Sequence, residues 1–398
     1  HLHNFQHQIG MALGNIGQKI KSFAEVAGAV KGIVDTCIFL KNTLAPVATL
    51  IGLAIDVIDP DNLLPENIKS GITLCLLPAD TPGVKIGDYH LPLSVKFNNG
   101  IISGNKVFIP IIQIIGGIDK VGHGWEMLTD CLSEGRALSL PSLSSASSLV
   151  SFLSSSSYTL IRRQFNRSIL DFPGVSSKVV KTAGFYYLIE SLRQFSLIPV
   201  SNGLKPSVIS GMAKYFSTEL SREALQDAMD VHGGKAIIDG PSNYLARLYD
   251  AAPISITVEG ANLLTRNMMI FGQGVMRSHP VLRDMFNSIL NNDKNKYYKL
   301  CNKQISYFIR NISRLLFGSL FYRGLNFKSN YYKQINLMSL RLNILVDVCL
   351  MLYGPKIKIK ERISARLSDI WGYLVLASSI IKYNKNNKDK LNDLLLKW

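Results

Sequence analysis

Glu259 is the residue best placed by type and surroundings to do chemistry, within the run Ser255-Ile256-Thr257-Val258-Glu259-Gly260-Ala261-Asn262-Leu263-Leu264-Thr265-Arg266. Its carboxylate stands among Ile256, Val258, Leu263 and Leu264 and is followed at once by a glycine, whose missing Cβ lets backbone approach a ligand closely. Desolvation among such neighbours disfavours the charged form and raises the pKa, which suits a general base working near neutral pH. A plainer reading competes with this one: a Glu in the first turn of a helix simply stabilises that helix through its dipole. Other chemistries are poorly provided for. Cys37, Cys75, Cys131, Cys301 and Cys349 are odd in number, far apart and without a CxxC pair. Neither a disulfide framework nor a zinc site is expected from them, and a reducing compartment is. His1, His3 and His7 read as an untethered chain end rather than a metal site.

A base needs elements to position it, and the chain offers two kinds of pattern. From Thr43 to Val121 the pattern predicts β structure, with apolar runs at Ile72–Leu77 and Lys106–Ile115. Turn-formers separate them at Asp80-Thr81-Pro82-Gly83, Asn98-Asn99-Gly100 and Gly116-Gly117, and Asn99-Gly100 predicts a hairpin. The run Thr43–Ile55 contains Pro46 and Gly52 and is too short to span a bilayer, so it reads as a buried strand or core segment. No run reaches spanning length uninterrupted, and no basic region followed by an apolar block marks a secretory leader. After Gly122 the spacing turns helical, at about 174–200, 205–231, 242–250 and 259–271, then in a basic block over 281–398. Residues 139–157 contain 11 serines, a linker-like composition. Yet Leu143, Ala146, Val150, Leu153, Leu160 and Ile161 keep helical spacing through and beyond them, which predicts a closely packed helix. Gly14-Asn15-Ile16-Gly17 has neither P-loop nor dinucleotide spacing, and residues 1–42 are assigned no function.

Four short elements fall in order along the helical part: Ser133-Glu134-Gly135-Arg136, Arg162-Arg163-Gln164-Phe165, Asp227-Ala228-Met229-Asp230-Val231-His232-Gly233-Gly234, and Glu259-Gly260 with Arg266. Together they resemble the flavin-binding, base-carrying half of the acyl-CoA dehydrogenase family. Leu204-Lys205-Pro206-Ser207-Val208-Ile209-Ser210, Ile256–Gln273 and Lys360–Ile370 narrow the likeness to the large bacterial long-chain type, which carries an extra helical region. The resemblance implies an α+β, mostly α fold. Residues 43–121 would be a partial middle β domain, 122–280 a flavin-binding helical bundle and 281–398 an extra basic helical region. It implies FAD-dependent α,β-dehydrogenation of long-chain acyl-CoA to trans-2-enoyl-CoA, the first step of fatty acid β-oxidation. Glu259 would remove the α-proton, with Arg136, Gly260 and Arg266 on the acyl-CoA. Thr43, Arg162, Phe165, Asp230, Gly233 and Gly234 would contact FAD, the glycine pair reaching the cofactor of a neighbouring subunit. Departures accompany the matches: Asp230 replaces a usual Gln, Ala261 replaces a hydroxyl residue, and an aspartate usual near Ser133 is missing. The family's N-terminal helical domain and Thr-Glu-Pro-type motif have no counterpart. The expectation is therefore a truncated, impaired enzyme, and the alternative is a non-enzymatic remnant or interaction protein on the same scaffold.

The formal net charge is +16, and 21 Lys and Arg against 7 Asp and Glu leave +14 of it in residues 281–398. Such a surface attracts anionic lipid, nucleic acid or an acidic partner, unless it is only a solvated basic face. Tyr297, Tyr298, Tyr331 and Tyr332 lie beside lysines, but no nucleic-acid-binding fold accompanies them, so nucleic acid is not expected. The expected partners are an acyl-CoA substrate, an electron-transfer flavoprotein or equivalent acceptor, a second copy of the chain, and an anionic membrane surface. The expected location is cytoplasmic, peripheral to the inner membrane.

Overall fold

A computed structural model describes residues 50–56, 64, 71–94, 100–322 and 331–397. Thr43 and the unassigned segment 1–42 lie outside the described residues. The chain divides into two compact units, one formed by residues 1–91 and 96–129, the other by 92–95 and 130–398.

In the first unit β1 (Leu50–Asp56) pairs antiparallel with β2 (Ile72–Pro78), from Leu50 opposite Pro78 to Asp56 opposite Ile72. β3 (Val84–Tyr89) pairs antiparallel with β4 (Gly100–Gly104). The pairing ends at Tyr89 opposite Gly100, so the connection is longer than the tight turn that Asn99-Gly100 predicts, and Gly100 itself opens β4. The run Lys106–Ile115 forms no named strand. It ends in a 3₁₀ turn, Ile111–Gln113, behind Pro110, which has no N–H to give a ladder, and only Ile114 bridges back to Cys75. Among the described residues of this unit, Cys75, Leu77, Ile114 and Val121 are buried and apolar. Buried Thr73 ties the ends of this unit, its Oγ1 donating to the Gly71 carbonyl at 2.8 Å and accepting from the Gly122 N–H at 3.0 Å.

The serine-rich stretch is a helix. α1 (Gly124–Ile161) crosses the boundary between the units and carries Pro141 inside it. One face of it is a buried row of serines: Ser144, Ser145, Ser147, Ser148, Ser151 and Ser155 are buried, Ser139, Ser142 and Ser157 are exposed, and Ser145 Oγ donates to Glu190 Oε2 at 2.7 Å. A two-residue hairpin follows, β5 (Arg163–Gln164) and β6 (Arg167–Ser168), then α2 (Pro173–Ser201) and α3 (Ser207–His232). α4 (Gly234–Ile237) and α5 (Ala246–Thr257) lead to Glu259. Beyond it, α6 (Asn262–Leu264) continues through a π-helical stretch, Thr265–Gln273, into α7 (Gly274–Ser278). The basic block is α8 (Leu282–Leu290), α9 (Lys294–Tyr322), α10 (Tyr331–Tyr353), α11 (Glu361–Asn386) and α12 (Lys390–Lys397).

One core joins the earlier helices to the later ones. Leu192 of α2, Met212, Ala213 and Phe216 of α3, Ile270 of the π stretch and Leu376 of α11 form a single buried cluster. A second holds Phe271 and Val275 against Leu342, Val346 and Leu367. The sequence boundary at 280 therefore separates two patterns, not two separately packed bodies. α1 and α10 are long and apolar enough to cross a membrane by length and composition, although no uninterrupted apolar run of that length exists in the sequence. Buried serines identify α1 as a core helix; α10 leaves Met338, Leu345 and Leu352 exposed.

Candidate active site

Glu259 sits in the turn between α5 and α6 with φ of 55°, a left-handed backbone that a residue with a Cβ adopts only under constraint. Gly260 follows at φ 93°. Three carbonyls around the turn meet buried cations. Arg136 of α1 is 4% exposed and donates from Nε to the Glu259 carbonyl at 2.7 Å. Lys214 of α3 is fully buried and donates from Nζ to the carbonyls of Ile256 and Gly260 at 2.9 and 2.8 Å, and to Asn262 Oδ1. Asn262 in turn donates from Nδ2 to Thr218 Oγ1 and Glu219 Oε1.

The carboxylate itself lies on Gly135. A Cβ at that position would stand 2.5 Å from Glu259 Oε1 and 2.9 Å from Oε2, so any larger residue there must displace the carboxylate. Glu259 Oε2 is buried without a hydrogen-bond partner among the described residues. Burial pushes the Glu259 pKa above its ordinary value, and the positive charges of Arg136 and Lys214 partly oppose the rise. An unpartnered carboxylate oxygen with raised basicity is equipped to take a proton from a bound molecule.

A second constellation forms where α1 ends. A pocket of about 720 Å³ is lined by Tyr158, Arg162, His232, Gly234, Lys235 and Asn243, among others. An adjoining pocket shares Tyr158, Arg162 and Lys235 and opens along Val150, Leu153 and Ile161. His232 stacks on Tyr158 with ring centroids 4.5 Å apart. Its Nδ1 lies 2.8 Å from the Ala228 carbonyl and so carries the proton, leaving Nε2 to accept from the Tyr244 hydroxyl at 2.7 Å. Burial holds the pKa of this imidazole down, and Lys235 adds to the effect. The Lys235 ammonium lies over the rings of Tyr158 and Tyr244 at 5.5 and 5.3 Å. Arg162 meets no carboxylate among the described residues, so its guanidinium and Lys235 are both available to an anionic ligand. Phe165, 86% exposed at φ 50°, and Asn166 at φ 63° make the two central residues of the β5–β6 turn. An exposed aromatic held in that conformation is the kind of strain that accompanies ligand sites.

The residues expected from sequence thus divide. Glu259, Gly260 and Arg136 come together, and so do Arg162 and Gly234. Gly233, at φ 56°, ends α3, and a Cβ there would meet no protein atom within 4 Å, so its outer face is open. Asp230 is engaged elsewhere, accepting from Lys178 Nζ at 2.9 Å in a network with Asp227 and Lys181. Arg266, expected at the substrate, is forked onto both oxygens of Asp369 in α11 instead. Sequence reasoning did not single out Lys214, Asn262 or Gly135 for the site. A lysine between Ala213 and Tyr215, flanked by Ser210 and Ser217 on the packed side of an apolar helix, was the available signal for the first.

Two family models match the chain side by side: "acyl-CoA dehydrogenase, C-terminal domain" over residues 122–272 and "acyl-CoA dehydrogenase, C-terminal, bacterial type" over residues 276–398. Among curated proteins, protein HemX of Proteus mirabilis is 54% identical over 84 residues, 21% of this chain and 49% of that protein; its name states no reaction. The mitochondrial short/branched chain specific acyl-CoA dehydrogenase of Rattus norvegicus is 25% identical over 175 residues, 44% of this chain and 39% of that protein. The matched stretches thus span less than half of these relatives. Among solved structures, an acyl-CoA dehydrogenase from Bacillus anthracis complexed with FAD superposes with a TM-score of 0.61 at 16% identity. It covers 82% of this chain and 55% of that one, a likeness of fold.

Proposed function

We propose that this chain, which belongs to the acyl-CoA dehydrogenase family, uses Glu259 to remove the α-proton of an acyl-CoA thioester in a flavin-dependent α,β-dehydrogenation. The observation that carries the proposal is the Glu259 carboxylate: raised in basicity by burial, one oxygen unpartnered, and seated on Gly135 in a constrained turn. The Cα–H bond next to the thioester breaks toward that carboxylate, and the β-hydrogen leaves as hydride, giving the trans-2-enoyl thioester. When bound, FAD supplies the acceptor for that hydride. The residues present fit the group: Arg162 and Lys235 offer positive charge for a diphosphate, and Tyr158, Phe165 and Tyr244 offer ring faces beside the pocket. Arg136 and Lys214 keep the turn fixed while Glu259 gains its proton.

The finer reading is a long-chain acyl thioester as substrate and fatty acid β-oxidation as the pathway. Its support is the bacterial-type helical region at 276–398. An electron-transfer flavoprotein or equivalent is the proposed acceptor. A second copy of the chain is the proposed neighbour of the open face at Gly233. The proposed location is cytoplasmic, at the inner membrane surface. The test is acyl-CoA-dependent bleaching of bound flavin. Glu259→Gln, which keeps the shape of the side chain, is expected to retain flavin and fold while slowing the reductive step by at least about 100-fold. Because the Glu259 pKa is raised, the wild-type rate is expected to rise with pH above the ordinary carboxylate range as the base ionises. A Glu259→Gln rate within about tenfold of wild type removes Glu259 from the reaction.

A further inference from the structure

Lys214 is fully buried, an unusual position for a lysine. Its three donors are all used. One meets the carbonyl of Ile256, which α5 leaves free at its C-terminal end; one meets the carbonyl of Gly260; the third meets Asn262, where α6 begins. The ammonium therefore bridges the end of one helix and the start of the next across the turn that contains Glu259. A cation is favoured there by the dipole at the end of α5.

We propose that Lys214 is a positioning residue: its buried ammonium holds Glu259 in the left-handed conformation that seats the carboxylate on Gly135, and its charge adds to that of Arg136 in favouring the ionised carboxylate. The second half of this inference rests on Glu259 being the base; the geometric half does not. The charged groups around Lys214 are Arg136 from α1, Glu259 from the turn, and Glu219 from α3, which is itself paired with Arg222. Burial and then Arg136 bring the Lys214 pKa down to about 8, against the opposing pull of Glu259 and Glu219. Below about pH 8 the ammonium supplies three donors and a positive charge. Above it, the neutral amine has two N–H donors for three acceptors, and the charge that favours ionised Glu259 is gone.

The experiment is a pH titration of the full-length, flavin-loaded chain labelled with ¹³C at glutamate δ-carbons. The Glu259 resonance is identified by its loss in Glu259→Gln. In wild type it is expected to move twice, once as Glu259 ionises and again near pH 8 as Lys214 loses its proton. A single inflection overturns the electrostatic half of the proposal, and this arm needs neither turnover nor a Lys214 variant that folds. In parallel, Lys214→Met is expected to lower the reductive rate about tenfold or more at neutral pH, through misplacement of Glu259. It should also shift the acid limb of the rate profile upward and abolish its fall near pH 8. Lys214→Arg, which keeps the charge, is expected to return the acid limb toward its wild-type position, a recovery that a mere space-filler would not require. A folded Lys214→Met with an unchanged profile sinks the clamp. Absence of acyl-CoA turnover in wild type sinks the proposed reaction instead, while the two-step titration still decides the electrostatic role of Lys214.

Discussion

At the scale of single residues, the site is built from what is left out as much as from what is present. Gly135 carries no functional group, yet the Glu259 carboxylate occupies the space where its Cβ would be. Gly135→Ala is expected to push the carboxylate aside and slow flavin reduction on the order of 100-fold, because a displacement near 1 Å is enough to lose alignment. Flavin content and the thermal midpoint should change little by comparison. A rate within about twofold of wild type, with the same midpoint, shows that the carboxylate has freedom the structure does not give it. Phe165 and Asn166 make the same point in reverse, since both hold positive φ without being glycine. Each maintains a conformation costing on the order of 1 kcal/mol, which the surrounding hairpin must enforce.

Among elements, the decisive contact is between the helical stretch that follows the base and α11. Arg266, seven residues after Glu259, reaches Asp369 with two parallel hydrogen bonds, and the pairing raises the Arg266 pKa. Phe271 N–H donates to Ser368 Oγ and Ser364 Oγ donates to the Asn267 carbonyl, so the π-helical stretch is stitched to α11 along its length. A π stretch leaves backbone groups imperfectly paired, and these serines supply the missing partners. A double-mutant cycle on Arg266→Ala and Asp369→Ala is expected to give a coupling of about 1 kcal/mol in stability, modest because both side chains are partly exposed. The same cycle in flavin reduction should show that the loss of either partner alters the rate equally. An Arg266 effect on acyl-CoA affinity that Asp369→Ala does not share would restore the substrate role expected from sequence.

At the scale of the molecule, the excess positive charge has a place. Lys296, Lys299, Lys303, Arg310 and Arg314 are exposed along one side of α9. Tyr298, Ile305, Ile309 and Leu316 form a separate exposed apolar stripe on the same helix. That combination suits attachment to an anionic lipid surface, at about 1 kcal/mol per basic side chain, and screening by salt should weaken it. Removing residues 281–398 would be a poor test, because Leu342, Val346, Leu367 and Leu376 belong to the shared core. Charge reversal is cleaner. Lys299→Glu, Lys303→Glu and Arg310→Glu together are expected to abolish co-sedimentation with phosphatidylserine vesicles at low salt, while leaving flavin content unchanged. Equal sedimentation of wild type and the triple variant, or none by either, reduces the stripe to a solvated basic face.

What was legible in the sequence is what depends on neighbours along the chain. Helical spacing through eleven serines predicted a helix, and α1 is that helix, but its serine face packs inward while Leu143, Leu160 and Ile161 stay exposed. Glu259 and its glycine stood out less by their apolar neighbours, which also suit a plain helix start, than by the order of four short elements that resemble the family, and the structure adds the burial that raises its basicity. The apolar run ending at Ile115 failed as a strand because Pro110 removes a donor, a local fact outweighed by periodicity in the reading. Only the tertiary structure could decide which cations meet the turn. Arg136 and Lys214 lie far from Glu259 in sequence, and even where the neighbours of Lys214 signal burial, nothing local says which carbonyls it meets. Packing of α1 and α3 beneath the turn settles this, because a buried carbonyl needs a donor wherever the chain can provide one. The same holds for Arg266. Its spacing from Glu259 is a property of the sequence, but its partner was chosen by the docking of α11.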